Sequence, residues 1–528
     1  MILDYLIKNG HIIDGTGTPA VPGAVGIKDG RIVPVGSTAV SAERVIDASG
    51  QVVCPGFIDM HSHTDATLLI DPRAESKVTQ GITLEVCGQC GSSAAPVLDE
   101  AGRTELNQWR KRHQISADWT TLDDFLRVLE STPIAVNFAT LVGHSNIRAA
   151  VVGLEDREAS PDEIRKMKEL AAEAMRQGAF GLSTGLQYPP SCFAGTDEIA
   201  LISSAVGELG GIYASHTRNE RERLAESDAE AIEIGRRSGA AVQISHHKGY
   251  GEGRLDKTLA ALEMIREARR SGLDVTVDVY PYTASCTSLA IFLPRWAHDG
   301  GDSALLERLK TRRQDLIAAL RASSAKQKPK WEAVLVSSVR SDANRWCEGL
   351  SIAQIAERRG SSPEETVLDL LSEEVASVSI IHFAQAEEDV SAVISAEFAM
   401  FGTDASARST SGELAKGKPH PRAFGTFPRV LGHYVREKKL LPLETAVYKM
   451  TAMAARKLGL QDRGIIREGC WADLVVFDPN TVADTATYQN PHSICRGISY
   501  VFVNGELTVE HGALTDALAG KVIRKAAR

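Results

Sequence analysis

The sequence predicts an α/β protein: a (β/α)8 TIM-like barrel, a small β-sandwich domain built from both chain ends, and a subdomain inserted into the barrel. Three observations carry that expectation. The long middle of the chain alternates short apolar runs with amphipathic segments, the pattern of a parallel sheet with crossover helices. Both ends instead show short apolar runs broken by glycine turns, and neither has enough strands to bury a face alone. The 528 residues, 43% hydrophobic and 24% charged, suffice for one barrel of ~250 residues with insertions plus a small domain, and they exclude disorder as the main state.

Taken in order, the first strands are expected at 3–7, 11–13, 24–27, 31–35 and 44–47. Asn9-Gly10, Asp14-Gly15 and Asp29-Gly30 supply hairpin chemistry between them, since these residues tolerate positive φ. Eight barrel runs follow at 56–60, 82–86, 134–142, 179–183, 211–214, 241–245, 273–279 and 399–402. A helix over 161–176 starts at a Ser160-Pro161 cap signal. Two further apolar runs, 333–337 and 378–382, compete for places in the barrel, and the charged helical stretch 302–330 reads as an insertion. Strands return at 472–477 and 497–503, followed by a tight turn at Asn504-Gly505. The small domain is therefore expected at 1–54 and 415–528, with its later β part near 464–528 and 415–463 a helical return to the barrel. The barrel takes 55–414, interrupted by an insertion at approximately 286–345.

Charge and cysteine usage narrow the partners. Subtracting 68 acidic from 59 basic residues gives −9, without the basic balance of a nucleic-acid-binding protein. Eight irregularly spaced cysteines do not make a disulfide framework, and no apolar run approaches the ~20 residues that span a bilayer. The start MILDYLIKNG reads as a first strand and not as a signal peptide. A cytoplasmic protein with thiols free for metal or catalysis is expected, with a small-molecule partner, no nucleic acid and no membrane; nothing in the sequence speaks to oligomeric state.

The chemistry gathers where the apolar runs end. His61-Ser62-His63 closes the run 56–60, and the period-two alternation of an extended chain puts both imidazoles on one side. Such a pair can hold one metal ion. The run 82–86 enters Cys87-Gly88-Gln89-Cys90-Gly91; later runs end at His216, at His246-His247-Lys248 and at Asp404. Each alone is more simply a buried, hydrogen-bonded side chain. Together, at the strand ends where barrel sites form, they predict a metal centre. Of the two thiols, Cys87 on the extended run reads as core, whereas Cys90 lies in a glycine-flanked turn able to approach a metal.

This constellation resembles the D-aminoacylase (N-acyl-D-amino-acid deacylase) family of the amidohydrolase superfamily. The resemblance runs nearly the whole chain, through GFIDMHSH, VTQGITLEVCGQCG, LSTGLQY, ISHHK, VYPYTA, HPRAFGTFPRVLGHY and GCWADLVVFDP. It implies that Cys90, able to bridge two metals, forms a tight Zn2+ site with His216 and His246, and that His61, His63 and Asp404 surround a second, weaker divalent position. It favours His246 over His247 as the ligand. Gln89 stands where asparagine is common, and Thr403-Asp404-Ala405 replaces Ser-Asp-Gly. Zinc would activate a water and polarise the amide carbonyl, while Asp404 would take the water's proton and pass it to the leaving amine.

The resemblance further implies that Arg422 pairs with the α-carboxylate of an N-acyl amino acid, with Lys248 and the Tyr282 hydroxyl adding hydrogen bonds. Arg295, toward an acidic substrate side chain, and His144, at another strand end, are further candidates. The expected reaction is zinc-dependent cleavage of N-acyl-D-amino acids to a carboxylate and a free D-amino acid. Dipeptides with a C-terminal D-residue, N-acyl-D-glutamate and N-acyl-D-aspartate require the same clamp and stay open. A cyclic-amide hydrolase of the dihydropyrimidinase type would normally carry a carboxylated lysine where Cys90 stands. A non-catalytic scaffold would have lost ligands that this sequence keeps.

Overall fold

The computed structural model describes residues 2–35, 41–251, 253–322 and 330–526. Residues 323–329 of the expected charged stretch lie outside them. At the centre, Phe57–Asp59, Ile82–Cys87 and Asn137–Thr140 pair in parallel. After Thr140 the chain continues through Val142–Gly143 into a second parallel run: Gly181–Gly185, Ile212–His216, Ala241–Ile244, Val275–Val279 and Ala399–Phe401. Two backbone bonds join the runs into a ring, Met60 N to Phe401 O at 3.2 Å and Leu141 N to Cys87 O at 2.9 Å. With 137–143 counted as one interrupted strand, eight strands close the barrel, at the places the apolar runs predicted. Nearly every residue in them is buried, as expected where helices cover one face and side chains fill the other. The helix Pro161–Arg176 starts at Ser160, whose side chain caps Glu163 N while the Glu163 carboxylate caps back.

Both chain ends enter one nine-stranded sheet. Strand Leu474–Phe477 shows why it holds together: Leu474 and Val476 join a core with Ile7, Ile27 and Val53, while Val475 and Phe477 pack against the barrel. The alternation of an extended chain thus buries both faces. Asp29-Gly30 and Asn504-Gly505 form the expected hairpin turns with positive φ at both residues. Asn9-Gly10 does not: Leu3–Ile12 is one strand, and Asn9, at φ 62°, sits where its register shifts against Val21–Lys28. Asp14-Gly15 lies in the longer loop 13–20 of the hairpin that pairs Leu3–Ile12 with Val21–Lys28, with Gly15 at φ 89° and the Asp14 carboxylate accepting from Thr16 N and Oγ1 at 2.8 and 2.7 Å. Residues 520–524 run from the small domain onto the barrel, with Lys521 still lying over the Trp471 ring at 4.5 Å. Gly520 N bonds to Ile134 O, Ile523 N bonds to Phe138 O, and Arg524 pairs with Asp123 and Glu130 beneath the barrel.

The two surplus runs are strands of the insertion. Val334–Ser338 and Ser379–Phe383 pair antiparallel with each other, and Ala284–Ser288 flanks the second. A separate core runs from Leu289 to Ile380, so the inserted unit extends beyond the expected end near 345. Short apolar runs look alike in parallel and antiparallel sheets, and that ambiguity produced the early boundary. No helix among the described residues is long and apolar enough to cross a membrane.

Candidate metal centre

All six candidate ligands stand at or just past the C-terminal ends of barrel strands. Their atoms form two overlapping groups, His61–His63–Cys90–Asp404 and Cys90–His216–His246, each with all members within 4.8 Å of one another. Cys90 belongs to both. Its Sγ lies 3.3 Å from His61 Nε2 and 3.4 Å from His246 Nε2. Three of these residues, Cys90, His246 and Asp404, adopt positive φ of 53°, 35° and 48°. Non-glycine residues held there cost about 1–3 kcal/mol each, a strain that clusters at functional sites. The turn that carries Cys90 depends on Gly88: a Cβ there would lie 2.0 Å from Leu141 O. On the other side of the site, a Cβ on Gly402 would lie 2.5 Å from His61 Cβ.

Partners behind the ligands set their orientation. Asp278 Oδ1 accepts from His61 Nδ1 at 3.0 Å and from His246 N at 2.7 Å, turning His61 Nε2 toward Cys90. Glu220 Oε1 lies 3.2 Å from His246 Nδ1, in the same carboxylate–imidazole relation. His216 is buried and neither ring nitrogen has a hydrogen-bond partner; Tyr188 packs edge-on against its ring at 4.8 Å. An unpartnered imidazole facing a thiolate and a second imidazole is what an N/S metal site requires, so the donor set fits zinc. His247 turns away and bonds Asp228 at 2.8 Å; Cys87 stays a buried core thiol.

The charges are strongly coupled. Burial would raise the Cys90 pKa, but the neighbouring His61 and His246 cations outweigh it and hold the thiol well below its usual range. Burial opposes charge on His63 too, yet Asp404 and Cys90 push it up to about 9, and His61 is held well above the usual imidazole value mainly by Asp278 and Cys90 against its own burial. His216 goes the other way, lowered by burial and by His246. For Asp404 the raising effect of burial is overcome by Arg422, then His246 and His61, so the carboxyl lies well below the usual carboxylate range.

The site opens into a cavity of about 550 Å3. Arg422 reaches it: Nη1 is 2.8 Å from Asp404 Oδ2, Nε has no hydrogen-bond partner, and the guanidinium lies over the Tyr280 ring at 4.5 Å. His420 fixes this arginine, accepting from Arg422 N at 3.0 Å through Nδ1 while Nε2–H donates to Ala284 O at 2.9 Å. Lys248 also lines the cavity, donating to Glu220 and lying 2.8 Å from His246 Nδ1.

Three expected substrate contacts are not there. The Tyr282 hydroxyl points out of the cavity to Asp484 at 3.3 Å; Tyr280 is the tyrosine that lines it. The regular strand ends at Val279, so period-two alternation no longer selects a face beyond it. Arg295 is spent in a two-point pair with Asp156 at 2.6 and 2.9 Å on a surface-exposed side chain. His144 is enclosed with Ser191 and Glu198, outside the cavity lining.

Behind the site lies a lysine to which no motif pointed. Fully buried Lys77 pairs with Asp59 at 2.9 Å and Glu85 at 3.1 Å, and donates to Ser62 Oγ, Thr403 Oγ1 and Ala405 O at 3.0, 2.8 and 2.8 Å. It thereby grips the residues on either side of Asp404 and the one between the two histidines. Lys77→Met would leave two buried carboxylates without their cation, so urea unfolding should show a loss of about 3–5 kcal/mol. A loss below about 1 kcal/mol would show that the network carries no stability.

A model of the amidohydrolase family matches residues 44–276 and 342–509. D-aminoacylase of Alcaligenes xylosoxydans xylosoxydans is 36% identical over 542 residues, covering 99% of this chain and 98% of that protein. N-acyl-D-glutamate deacylase of the same organism is 36% identical over 504 residues, covering 95% and 93%. The crystal structure of N-acyl-D-glutamate deacylase from Bordetella bronchiseptica, complexed with zinc and a phosphonate inhibitor, superposes with a TM-score of 0.83 at 33% identity, covering 99% of this chain and 100% of that one.

Proposed function

The chain belongs to the amidohydrolase family, and from that premise we propose that it hydrolyses the amide bond of N-acyl-D-amino acids, releasing a carboxylate and a free D-amino acid. The observation that carries this reading is the meeting of Cys90, His216 and His246 beside the Asp404–Arg422 pair in one cavity. Cys90, His216 and His246 would hold zinc tightly, and His61, His63, Cys90 and Asp404 would hold a second, weaker divalent ion. Zinc, when bound, supplies Lewis acidity that polarises the scissile carbonyl and makes water a stronger nucleophile at neutral pH.

The remaining steps belong to the chain's own groups. Asp404 takes the proton from the attacking water on its carboxylate and gives it to the nitrogen of the departing amine, which leaves poorly without it. Arg422 binds the substrate α-carboxylate through its unpartnered Nε side, and the Tyr280 face under the guanidinium keeps that plane fixed. Lys248 contributes positive potential, and its bond to Glu220 holds the carboxylate that orients His246. An overall acidic protein can still take an anion here, because Arg422 and Lys248 set the local field.

The test is a turnover screen of N-acetyl, N-formyl and dipeptide substrates in D and L series, with metal analysis of the purified protein. Hydrolysis of D-substrates by protein carrying at least one zinc per chain is expected. Exclusive action on L-substrates would remove the stereochemical assignment. Protein that neither retains zinc nor turns over any member of the panel after zinc or cobalt addition would remove the enzyme reading.

A further inference from the structure

Besides Arg422 and Lys248, two further arginines line the cavity: Arg221, whose guanidinium lies over the Tyr250 ring at 5.1 Å, and Arg408. Arg408, four residues past Asp404, is partly buried and lines it. Among the described residues its guanidinium makes no ion pair or hydrogen bond; burial lowers its pKa, and only the Cys286 thiol opposes that. The backbone beneath it is pinned on both sides. Arg408 N donates to Ser76 Oγ at 2.9 Å, Ser76 N donates to Arg408 O at 3.0 Å, and Ala407 N donates to Thr64 Oγ1 at 3.0 Å. Ser409 and Thr410 are tied to Asp71 and Glu75 at 2.6 Å each. Arg408 thus lines the cavity from a backbone fixed on both sides.

The inserted sheet contributes Cys286, Ser288, Ser337, Ser338 and Ser379 to the same lining. Cys286 lines the same cavity as Asp404, Arg408 and Arg422. Hydroxyl groups and an unpaired guanidinium suit an anion, since burying a lone cation is costly unless a counter-charge joins it.

We propose that Arg408 and the serine-bearing face of the inserted sheet form a subsite for a second carboxylate on the substrate, carried by the amino-acid side chain or by the acyl group. The inference rests on the deacylase reading for the reaction it serves, though the binding itself does not require turnover. Arg422 takes the α-carboxylate, and Arg408 selects substrates that bring another.

Zinc-loaded wild type, R408M and R408K are compared on N-acetyl-D-leucine, N-acetyl-D-glutamate and N-succinyl-D-leucine. Calorimetry on the same proteins follows glutarate and valerate, two- and one-carboxylate ligands of similar length. The ratio of kcat/KM on a dicarboxylate to that on N-acetyl-D-leucine should fall about 10- to 100-fold in R408M, the size of a lost charge-assisted hydrogen bond, and less in R408K. The glutarate-to-valerate affinity ratio should fall alongside it. A fall on N-acetyl-D-glutamate assigns the carboxylate to the side chain; a fall on N-succinyl-D-leucine assigns it to the acyl group. Equal losses on all three substrates, or both ratios unchanged, overturn the subsite. Should wild type hydrolyse none of them, the deacylase reading fails, and the glutarate-to-valerate ratio alone decides for or against Arg408.

Discussion

Asp404→Asn is expected to lower kcat by about 100- to 10,000-fold, the usual contribution of a positioned acid–base group, while the protein keeps zinc at Cys90, His216 and His246. Asparagine retains an oxygen able to face Arg422 and His63 but cannot take a proton, so the loss should fall on kcat more than on KM. Two alternatives predict different patterns. If Asp404 only holds Arg422, at 2.8 Å, then KM should rise and kcat should survive. If it only ligates the second metal, zinc content should drop while activity at saturating zinc persists. Steady-state kinetics together with metal analysis separate the three, and a variant within tenfold of wild-type kcat would remove Asp404 from proton transfer.

The parts legible in the sequence share a physical reason: they depend on local pattern. Eight apolar runs mark the barrel because strands covered on both sides must be apolar throughout. The His61–His63 pair stands out as two imidazoles on one side of a strand end, and Cys90 stands out because a glycine-flanked break after such a run has no packing purpose. The parts that were not legible depend on tertiary geometry. Lys77 lies in the four-residue helix Glu75–Val78 and looks like a surface lysine until Asp59, Glu85 and Thr403 are brought around it from three other segments. Glu220 was hidden in the charged run Arg218–Arg223, where one carboxylate resembles its neighbours. Asp278 had a usable signal, an acid inside the β-branched run Val275–Val279, since a buried charge needs a partner. Tyr282, taken from the resemblance, bonds Asp484 while Tyr280 lines the cavity, a difference set by the irregular chain beyond Val279 and not by local pattern. Positive φ at Cys90, His246 and Asp404 leaves no trace in composition at all, because none of them is glycine.

Cys90→Ala should empty the tight site and, through it, the weaker one. Loss of a partner that merely orients a ligand lowers metal affinity about 10- to 100-fold, so removal of the ligand shared by both groups should lower zinc affinity by more than about 100-fold and abolish measurable turnover at trace zinc. Thiolate and imidazole make the expectation specific. In wild type the thiol is already held in its charged form and His216 is kept neutral, so zinc entering the tight site has one main proton to displace, that of His246, whose pKa burial lowers but Cys90 and Asp404 raise. At the second position both His61 and His63 are held protonated, His63 with a pKa of about 9, so a metal there competes with two protons. Occupancy of the second position should therefore rise more steeply with pH than that of the first. Zinc titrations at several pH values, on wild type and Cys90→Ala, read both effects. Removing the thiolate also removes the charge that raises His61, His63 and His246, so the variant should release fewer protons on binding zinc. Retention of one tight zinc by Cys90→Ala, or equal pH slopes for the two positions in wild type, would mean that the sulfur is not the shared ligand and that His216 and His246 bind with another donor.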